Sequence, residues 1–345
     1  MSNLFRYHNA AAQEPERAER DSDAWHKQRG ETIGASEIAQ AIGVSPYGGL
    51  LSLVQRKRDL RAGIIERYDN DAMADGRDAE DTILRMAARR LRAGVADEGP
   101  LQLLAGVLVC DGIISATPDG VLVDDRNHVD AVVEAKLDRG RNDWQAVADN
   151  GFADLSPGDT RLAYWWQVQQ QLRVTGCARG YLAVWTVYAF HLIEIAADAA
   201  AHAAIDAAAQ ATMAWITDAA GRFPAASDAD SLSAVARTVN PVSDGPTDAD
   251  EATAAALDAY VELGRQIDEL ESQREAAKRI ILAGHNAGAK LVNANGIKSS
   301  YMPGSTRETL DTKRLKSEQP EIAARYLKVS TTEPTCRVTA PRAKA

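Results

Sequence analysis

The chain of 345 residues has few cysteines, no long apolar run and no excess of positive charge. Its three cysteines, Cys110, Cys177 and Cys336, lie far apart and match no metal-ligand spacing, and three thiols cannot hold a four-cysteine iron–sulfur cluster. We therefore expect free thiols that are buried. A membrane-spanning helix needs about 18 or more apolar residues in succession, and a signal peptide needs an apolar segment near its start. Neither pattern occurs, so the sequence predicts a cytoplasmic protein.

The net charge of −10 counts at first against a nucleic-acid partner, but the charge is unevenly distributed. The segment 276–345 holds 13 Lys and Arg against 5 Asp and Glu, whereas residues 1–275 carry a balance of −18. A basic tail on an acidic body suits either a surface that follows phosphates or an arm that binds a partner. Charge alone does not decide between these two interpretations.

Four segments follow from the pattern of apolar, polar and turn-forming residues. Residues 1–24 are a polar lead-in, which we expect to be partly mobile, and residues 25–223 alternate helix and strand as in an α/β or α+β domain. The Pro-, Ser-, Asp- and Gly-rich stretch 224–250 is typical of a linker. Residues 251–345 form an extension that begins with a long amphipathic helix, either a coiled-coil arm or half of a helical hairpin. A small hairpin and a short helix should follow it.

The segment 117–136, "TPDGVLVDDRNHVDAVVEAK", predicts a β-hairpin with charges at one end. Alternate residues of a strand share a face, so Glu134 and Lys136 project together, and Asp119 can converge on them from the other strand. The simpler interpretation is that these charges pair at a sheet edge. The other is an all-oxygen site for Mg²⁺ or Mn²⁺, formed by Asp119, Glu134 and the carbonyl of Ala135. In such a site Lys136 can orient a water molecule and offset developing charge.

A third acid, Glu80, lies on the apolar face of a predicted helix in "GRDAEDTILRMAARRLR". It shares that face with Ile83, Leu84, Ala87 and Leu91, where a solvated acid would not lie. The opposite face carries the arginines Arg85, Arg89 and Arg92. An acid near the start of a helix is also favourable in itself, so the residue has a structural and a functional interpretation.

A set of ordered motifs resembles the YqaJ-type viral recombinases, the bacteriophage lambda exonuclease family. The matching segments, in the order that the family has them, are "WHKQRGETIGASEIAQAIGVSPY" (25–47), "GRDAE" (76–80), "TPDG" (117–120), "EAK" (134–136) and "YWWQVQQQLRVTG" (164–176). The family belongs to the PD-(D/E)xK nucleases. The resemblance therefore implies a restriction-endonuclease-like core, an α/β (α+β) fold in which helices flank a central mixed sheet.

The resemblance also implies an activity and a set of site residues. The expected enzyme is a Mg²⁺-dependent 5′→3′ exonuclease, phage or prophage encoded, that acts on double-stranded DNA ends and leaves 3′ single-stranded tails. Asp119, Glu134 and Glu80 resemble the metal ligands, and Glu80 matches the family's helix glutamate. Lys136 resembles the catalytic lysine, and Gln167 matches the motif glutamine. A single-strand annealing protein is the expected partner, and a ring-shaped homo-oligomer such as a trimer is known in the family.

The segment around "GASE" predicts a binding site for the 5′-terminal phosphate. Ser36 occupies the expected N-cap of a short helix that ends at Gly43, and an N-cap serine needs no further function. A helix N-terminus beside an arginine also binds phosphate, and the family uses an arginine and a serine there. The candidates are therefore Arg29 and Ser36, with Thr117 and either Arg139 or Arg141. Glu37 departs from the family, which usually has Asp after this serine.

Two other functions remain open on the sequence. One is a DNA endonuclease of the same fold, and the other is a DNA-end-binding scaffold that has lost the chemistry. The presence of Glu80, Asp119, Glu134 and Lys136 together counts against the scaffold, because a degraded nuclease usually lacks at least one of these groups.

Overall fold

The computed structural model describes residues 3–15, 22–65, 71–94, 101–140, 142–239, 248–287, 290–293, 295, 297–302 and 312–326. The chain divides into two compact units, Met1–Thr238 and Val239–Ala345. The helices of the first unit are α1 (Asp23–Glu31), α2 (Ile38–Ile42), α3 (Leu50–Arg61), α4 (Asp71–Gly94), α5 (Trp144–Asn150), α6 (Thr160–Thr175), α7 (Ala199–Ile216) and α8 (Leu232–Arg237). Its strands are β1 (Ile33–Gly34), β2 (Gln102–Ala105), β3 (Val109–Asp111), β4 (Ile114–Ala116), β5 (Gly120–Val123), β6 (Val129–Asp138), β7 (Arg179–Thr186) and β8 (Phe190–Ala196).

A five-stranded sheet forms the centre of the first unit, with the strand order β2-β5-β6-β7-β8. The pairs are antiparallel except β6 with β7, which run parallel, so the sheet is mixed. A smaller sheet has the order β1-β4-β3, in which β1 and β4 are parallel. The predicted fold class, a mixed central sheet flanked by helices, is confirmed.

The two faces of the central sheet are covered by different helices, because residues of β6 alternate in direction. Val132 packs with Val168 and Leu172 of α6 on one face. Ala131 and Val133 pack with the apolar side of α4 on the other face. Burial of such side chains stabilises each layer by roughly 25 cal/mol per Å² of apolar surface. Glu134 and Lys136 lie on the same side of β6 as Val132, the α6 side, as the alternation predicts.

The lead-in is more structured than the sequence predicts. Phe5 is buried in the core that α6 covers, and the backbone of Arg6 bonds to the turn between β5 and β6 through the Asn127 carbonyl and the Val129 amide. Gln13 pairs with Cys110 of β3. Polar composition indicated a mobile segment because single apolar anchors such as Phe5 give no periodic signal.

The stretch predicted as a linker is also partly structured, since it contains α8, which packs against α3. Asp230 accepts hydrogen bonds from the amide and the hydroxyl of Ser52 at 2.9 and 2.6 Å. Ser231 caps α8 by accepting from the Ala234 amide. The Ser and Asp residues that indicated a linker therefore serve as caps and turn formers, a role their short polar side chains also favour.

The second unit contains the predicted long helix, α9 (Glu251–Gly284), capped by Asp250, whose side chain accepts from the Thr253 amide. An antiparallel hairpin of β9 (Lys290–Val292) and β10 (Lys298–Ser300) follows, and then the short helices α10 (Thr312–Glu318) and α11 (Pro320–Arg325). None of the described helices combines the length and the apolar composition that a membrane span requires. Cys177 is a buried free thiol and Cys110 a half-buried one, whereas Cys336 lies outside the described residues.

Candidate active site

The hairpin of β5 and β6 brings the two predicted metal ligands to one point. Gly120 lies opposite Val133, so Asp119, one residue before β5, meets the Glu134 end of β6. The Asp119 carboxylate accepts a hydrogen bond from the Ala135 amide at 2.7 Å. Ala135 therefore contributes its amide to this contact, in addition to the carbonyl that the sequence interpretation assigned to a metal.

Glu134 is buried to 2% exposure, and three donors hold its carboxylate. Lys136 Nζ donates to Oε1 at 2.6 Å, and Gln167 Nε2 donates to the same oxygen at 2.5 Å. Gln171 Nε2 donates to Oε2, also at 2.5 Å. A buried carboxylate is costly unless it is paired and hydrogen-bonded, and these contacts meet that requirement. They also fix the orientation of the carboxylate.

The glutamine run on α6 serves several parts of the fold. Gln167 and Gln171 are four residues apart and hold Glu134, whereas Gln169 and Gln170 point elsewhere. Gln169 donates to the Ala196 carbonyl and accepts from the Asp198 amide, which joins α6 to the start of α7. Gln170 donates to the carbonyls of β1 and β4 and links the two strands. The run is therefore mostly interior, not the polar helix surface that is its simplest interpretation.

Lys136 is held between the carboxylates and an aromatic ring. Its ammonium lies 4.9 Å from the centroid of Tyr164, and that ring stacks in parallel on the buried Trp144. Burial by itself would lower the pKa of Lys136, but Glu134 and Asp119 outweigh it and raise the pKa above its usual value. The lysine is therefore a fixed positive charge at this end of the sheet, which suits stabilisation of an anion and not proton transfer.

Asp119 lies among like charges. Burial and the neighbouring Glu134 raise its pKa well above the usual value, with a further contribution from Glu80, while Lys136 opposes the shift. Glu80 is half-buried, as its place among the apolar residues predicted, and Ile83 and Ala87 of the same helix are in the core. Because α4 begins at Asp71, Glu80 lies well inside the helix, and its interpretation as an acid at a helix start is wrong. Three carboxylates and one ammonium give a formal charge of −2 to this group of residues, here called the acidic site.

The acidic site suits a divalent cation that keeps part of its coordination for water and substrate. Among the residues that the structure describes, no three His, Cys, Asp or Glu side chains are grouped so that they could hold a metal ion between them. Mg²⁺ is commonly held by one or two carboxylates, with waters and phosphate oxygens completing an octahedron. Asp119 and Glu134 supply two such carboxylates. Burial first, and then the neighbouring Glu134, raise the pKa of Asp119, and a bound cation would offset the negative charge of the two carboxylates.

The candidate phosphate residues lie at the end of the smaller sheet. β1 and β4 run parallel, and Gly34 lies beside Ser115. Ser36 and Thr117, which follow these strands in the chain, therefore lie at the same end of the smaller sheet. Both side chains are exposed. Thr117 is two residues before Asp119, so the chain itself connects this end of the sheet to the acidic site.

The buried Glu37 is the centre of an ion cluster that the sequence did not predict. Its carboxylate approaches Lys57 Nζ at 2.6 Å, Arg56 Nη2 at 3.4 Å and Arg29 Nη2 at 3.9 Å. Burial acts to raise the pKa of Glu37, but Lys57, Arg56 and Arg29 together lower it to about 2. We call Glu37, Lys57, Arg56 and Arg29 the basic cluster, since its formal charge is +2.

Some details of the predicted phosphate site are wrong or lie outside the described residues. Ser36 is not an N-cap: it lies inside a 3-10 helix, Ala35–Glu37, whose N-cap is Gly34. The cause is Glu37, which accepts the Gly34 amide at 2.8 Å and closes the turn two residues earlier than a serine cap would. The predicted end of the helix at Gly43, in the left-handed conformation, is confirmed. Arg139 forms an ion pair with Asp75 of α4, and Arg141 lies outside the described residues.

The sequence interpretation did not assign Gln171, Tyr164, Arg56 or Lys57 to a site. Tyr164, Gln167 and Gln171 are three and four residues apart, so they share one face of α6. That face contacts Lys136 and Glu134. No comparable signal marks Arg56 and Lys57, because "QRKRDLR" is typical of a solvated helix face.

The fold and this constellation define a mixed-sheet α+β domain with an acidic site at the end of its central hairpin. Residues 24–178 match the family model of the YqaJ-like viral recombinase domain. This match confirms the resemblance drawn from the motifs. Among curated proteins, none matches the chain significantly.

Solved structures similar to this chain include two exonucleases. One is an alkaline exonuclease, LHK-Exo, from Laribacter hongkongensis, with 19% sequence identity and a TM-score of 0.42, covering 56% of this chain and 92% of that one. The other is a phage-related exonuclease from Haemophilus somnus 129PT, with 11% identity and a TM-score of 0.40, covering 54% and 93%. Likenesses of this extent do not bear on substrate or polarity.

Proposed function

We propose that the chain is a Mg²⁺-dependent deoxyribonuclease that digests the 5′-ended strand of duplex DNA from an end and leaves 3′ single-stranded tails for recombination. The observation that supports this most directly is the convergence of Asp119, Glu134 and Lys136, with Gln167 fixing Glu134. The match of residues 24–178 to the viral recombinase family model is consistent with it. Mn²⁺ should substitute for Mg²⁺, since both accept carboxylate oxygens.

Each residue has a separate task in this proposal. Asp119 and Glu134 would hold the metal, with the Ala135 carbonyl as a third oxygen and Glu80 adding negative charge. When bound, the metal polarises the phosphodiester and lowers the pKa of a water molecule. Gln167 and Gln171 keep the Glu134 carboxylate in one orientation. The Lys136 ammonium, fixed by Tyr164, would orient the attacking water and stabilise the negative charge that develops on the phosphate.

The preference for ends would come from the candidate phosphate residues. Arg29 carries its guanidinium 4.8 Å from the Trp25 ring and is 40% exposed, so it can reach a ligand. Ser36 and Thr117 offer hydroxyl donors at the same end of the smaller sheet, and Arg139 or Arg141 could add a charge. A terminal phosphate bound there would stop the strand at a fixed distance from the acidic site. An annealing protein and a ring-shaped oligomer remain part of the proposal as partners.

The test is digestion of linear duplex DNA with one phosphorylated and one blocked 5′ end, with and without Mg²⁺. We expect loss of the phosphorylated 5′ strand only when Mg²⁺ is present. Loss of the opposite polarity would refute the direction, and cutting of closed circles would favour an endonuclease. DNA binding without any cleavage in Mg²⁺ or Mn²⁺ would favour the scaffold.

Substitution separates chemistry from binding. The variants Asp119→Ala, Glu134→Ala and Lys136→Ala should each abolish cleavage while binding to DNA ends survives, because the candidate phosphate residues are unchanged in them. Retained cleavage in the Lys136 variant would remove the lysine from the mechanism.

A further inference from the structure

The basic cluster contains an internal ion pair that no ligand can reach. Lys57 is only 1% exposed, and its ammonium donates to the Arg29 and Thr32 carbonyls at 2.5 and 2.6 Å besides pairing with Glu37. Glu37 in turn accepts the Gly34 amide. The two charges cancel, and the hydrogen bonds of both side chains are made within the protein. Their task is to fasten the end of α1 and the turn at Gly34 to α3.

Once this pair is set aside, two guanidinium groups account for the remaining charge of +2. Arg29 is 40% exposed and Arg56 is 43% exposed, so both keep donor groups open to solvent. Arg56 is held in place by Gln40, whose Oε1 accepts from its Nη2 at 2.9 Å, and Arg29 is held by the Trp25 ring. Both Nη2 atoms approach the same oxygen of Glu37, so the two groups lie close together.

Two fixed, half-exposed guanidinium groups beside each other make a site for an anion with several oxygens. Guanidinium groups match phosphate oxygens in pairs of parallel hydrogen bonds, which a single ammonium does not. A terminal phosphate monoester carries a charge of about −1.5 to −2 near neutral pH, whereas an internal phosphodiester carries about −1. The excess of +2 in the basic cluster matches the monoester.

We propose that Arg56 is a second phosphate-binding arginine beside Arg29, and that the two together select a terminal phosphate monoester over an internal phosphodiester. This inference rests on the proposed end-directed nuclease, to which it adds a specificity-determining residue. Lys57 and Glu37 act as positioning residues, because they fix the backbone that carries Arg29 and the helix that carries Arg56.

The experiment compares initial cleavage rates of the full chain, with Mg²⁺, on duplex DNA bearing either a 5′-phosphate or a 5′-hydroxyl. The variants are Arg56→Gln and Arg56→Lys, with Arg126→Gln as the matched control, an exposed arginine in the turn between β5 and β6. Because Arg56 is half-exposed, its replacement should leave the melting temperature nearly unchanged. A role in folding alone would not alter the ratio of the two rates.

The wild type should prefer the phosphorylated end, and Arg56→Gln should reduce that preference about tenfold or more, which is the effect expected for losing a charge-assisted pair of hydrogen bonds. The rate on hydroxyl ends should change much less. Arg56→Lys should keep part of the preference, and the control should keep all of it.

Suppose that the wild type prefers phosphorylated ends and the Arg56→Gln variant keeps the full preference. That result would overturn this inference and leave the proposed function standing. Equal wild-type rates on both ends would overturn the inference and the phosphate site of the proposed function together. Cleavage that fails in all conditions would overturn the nuclease itself. The three failures are therefore distinguishable.

Discussion

Gln169 and Gln171 are two residues apart on α6, are both fully buried, and should respond in opposite ways to replacement by Met, which has a similar volume. Gln171 donates one hydrogen bond to the Glu134 carboxylate, worth about 1.5–3 kcal/mol. Its own Oε1 is buried and has no partner among the described residues, a cost of about 1–3 kcal/mol. The two contributions nearly cancel, so Gln171→Met should change the free energy of unfolding by no more than about 1 kcal/mol.

The functional effect of Gln171→Met should be larger. Glu134 loses one of three donors, and the only contact that fixes its Oε2 among those the structure describes. Loss of a residue that orients a metal ligand typically costs 10–100-fold in metal affinity or activity. We therefore expect the Mg²⁺ concentration for half-maximal cleavage to rise at least about tenfold.

Gln169→Met should show the reverse. Both ends of Gln169 are used, by the Ala196 carbonyl and the Asp198 amide, and two neutral hydrogen bonds are worth about 1–3 kcal/mol together. For a unit of this size each kcal/mol lowers the melting temperature by about 2–4 °C, so the fall should be roughly 2–12 °C. Its Mg²⁺ requirement should equal that of the wild type.

The assays are calorimetric melting and a Mg²⁺ titration of cleavage, performed on both variants in parallel. If Gln171→Met lowers the melting temperature as much as Gln169→Met and leaves the Mg²⁺ titration unchanged, then Gln171 is a packing residue. The assignment of the two glutamines would then be refuted.

Three further predictions concern the ring under Lys136 and the basic cluster. Tyr164→Leu should slow cleavage by about fivefold or more, because it removes a desolvated cation–π contact with Lys136. Tyr164→Phe keeps the ring and should cleave at close to the wild-type rate. Equal losses in the two variants would show that the aromatic ring is not what matters. Lys57→Met should lower stability by about 3–5 kcal/mol, measured by calorimetry, since it leaves Glu37 buried without its closest cation; a negligible change would contradict this. The pKa of Glu37 is lowered to about 2 from a usual value near 4.5. Its contribution to stability is therefore complete above about pH 4.5 and is lost as the pH falls towards 2. The Glu37→Gln variant should lack this loss of stability in acid, and identical acid unfolding profiles of variant and wild type would count against it.

The hairpin and the acidic site follow from local rules, which is why the sequence was sufficient for them. The alternation of β6 fixes that Glu134 and Lys136 share a face, and the 3–4 spacing of α6 fixes that Gln167 and Gln171 share another. Once α6 packs on the face of Val132, the two sets must meet. Glu80 follows from the same reasoning, since its helix can bury only one side against the sheet.

The contacts that the sequence did not reveal depend on partners far along the chain. Phe5 reaches the central core, and Asp230 finds Ser52 across 178 positions. Lys57 looks like a surface charge because the two residues on each side of it are charged or polar. Only the meeting of α1, α3 and the Gly34 turn buries it. No periodicity in the sequence records such encounters.

Net charge is likewise a poor guide to a binding partner, because it is a sum over the chain and binding depends on local charge. The value of −10 counted against a nucleic-acid partner, yet the first unit holds an acidic site of −2 and a basic cluster of +2 connected through β1 and β4. The acidic site requires a cation before a phosphodiester can approach it, whereas the basic cluster attracts a phosphate directly. An internal stretch of DNA could approach the acidic site through a bound metal, but its phosphodiesters would match the basic cluster only in part. A phosphorylated end matches the acidic site and the basic cluster, which is the physical reason to expect digestion to begin there.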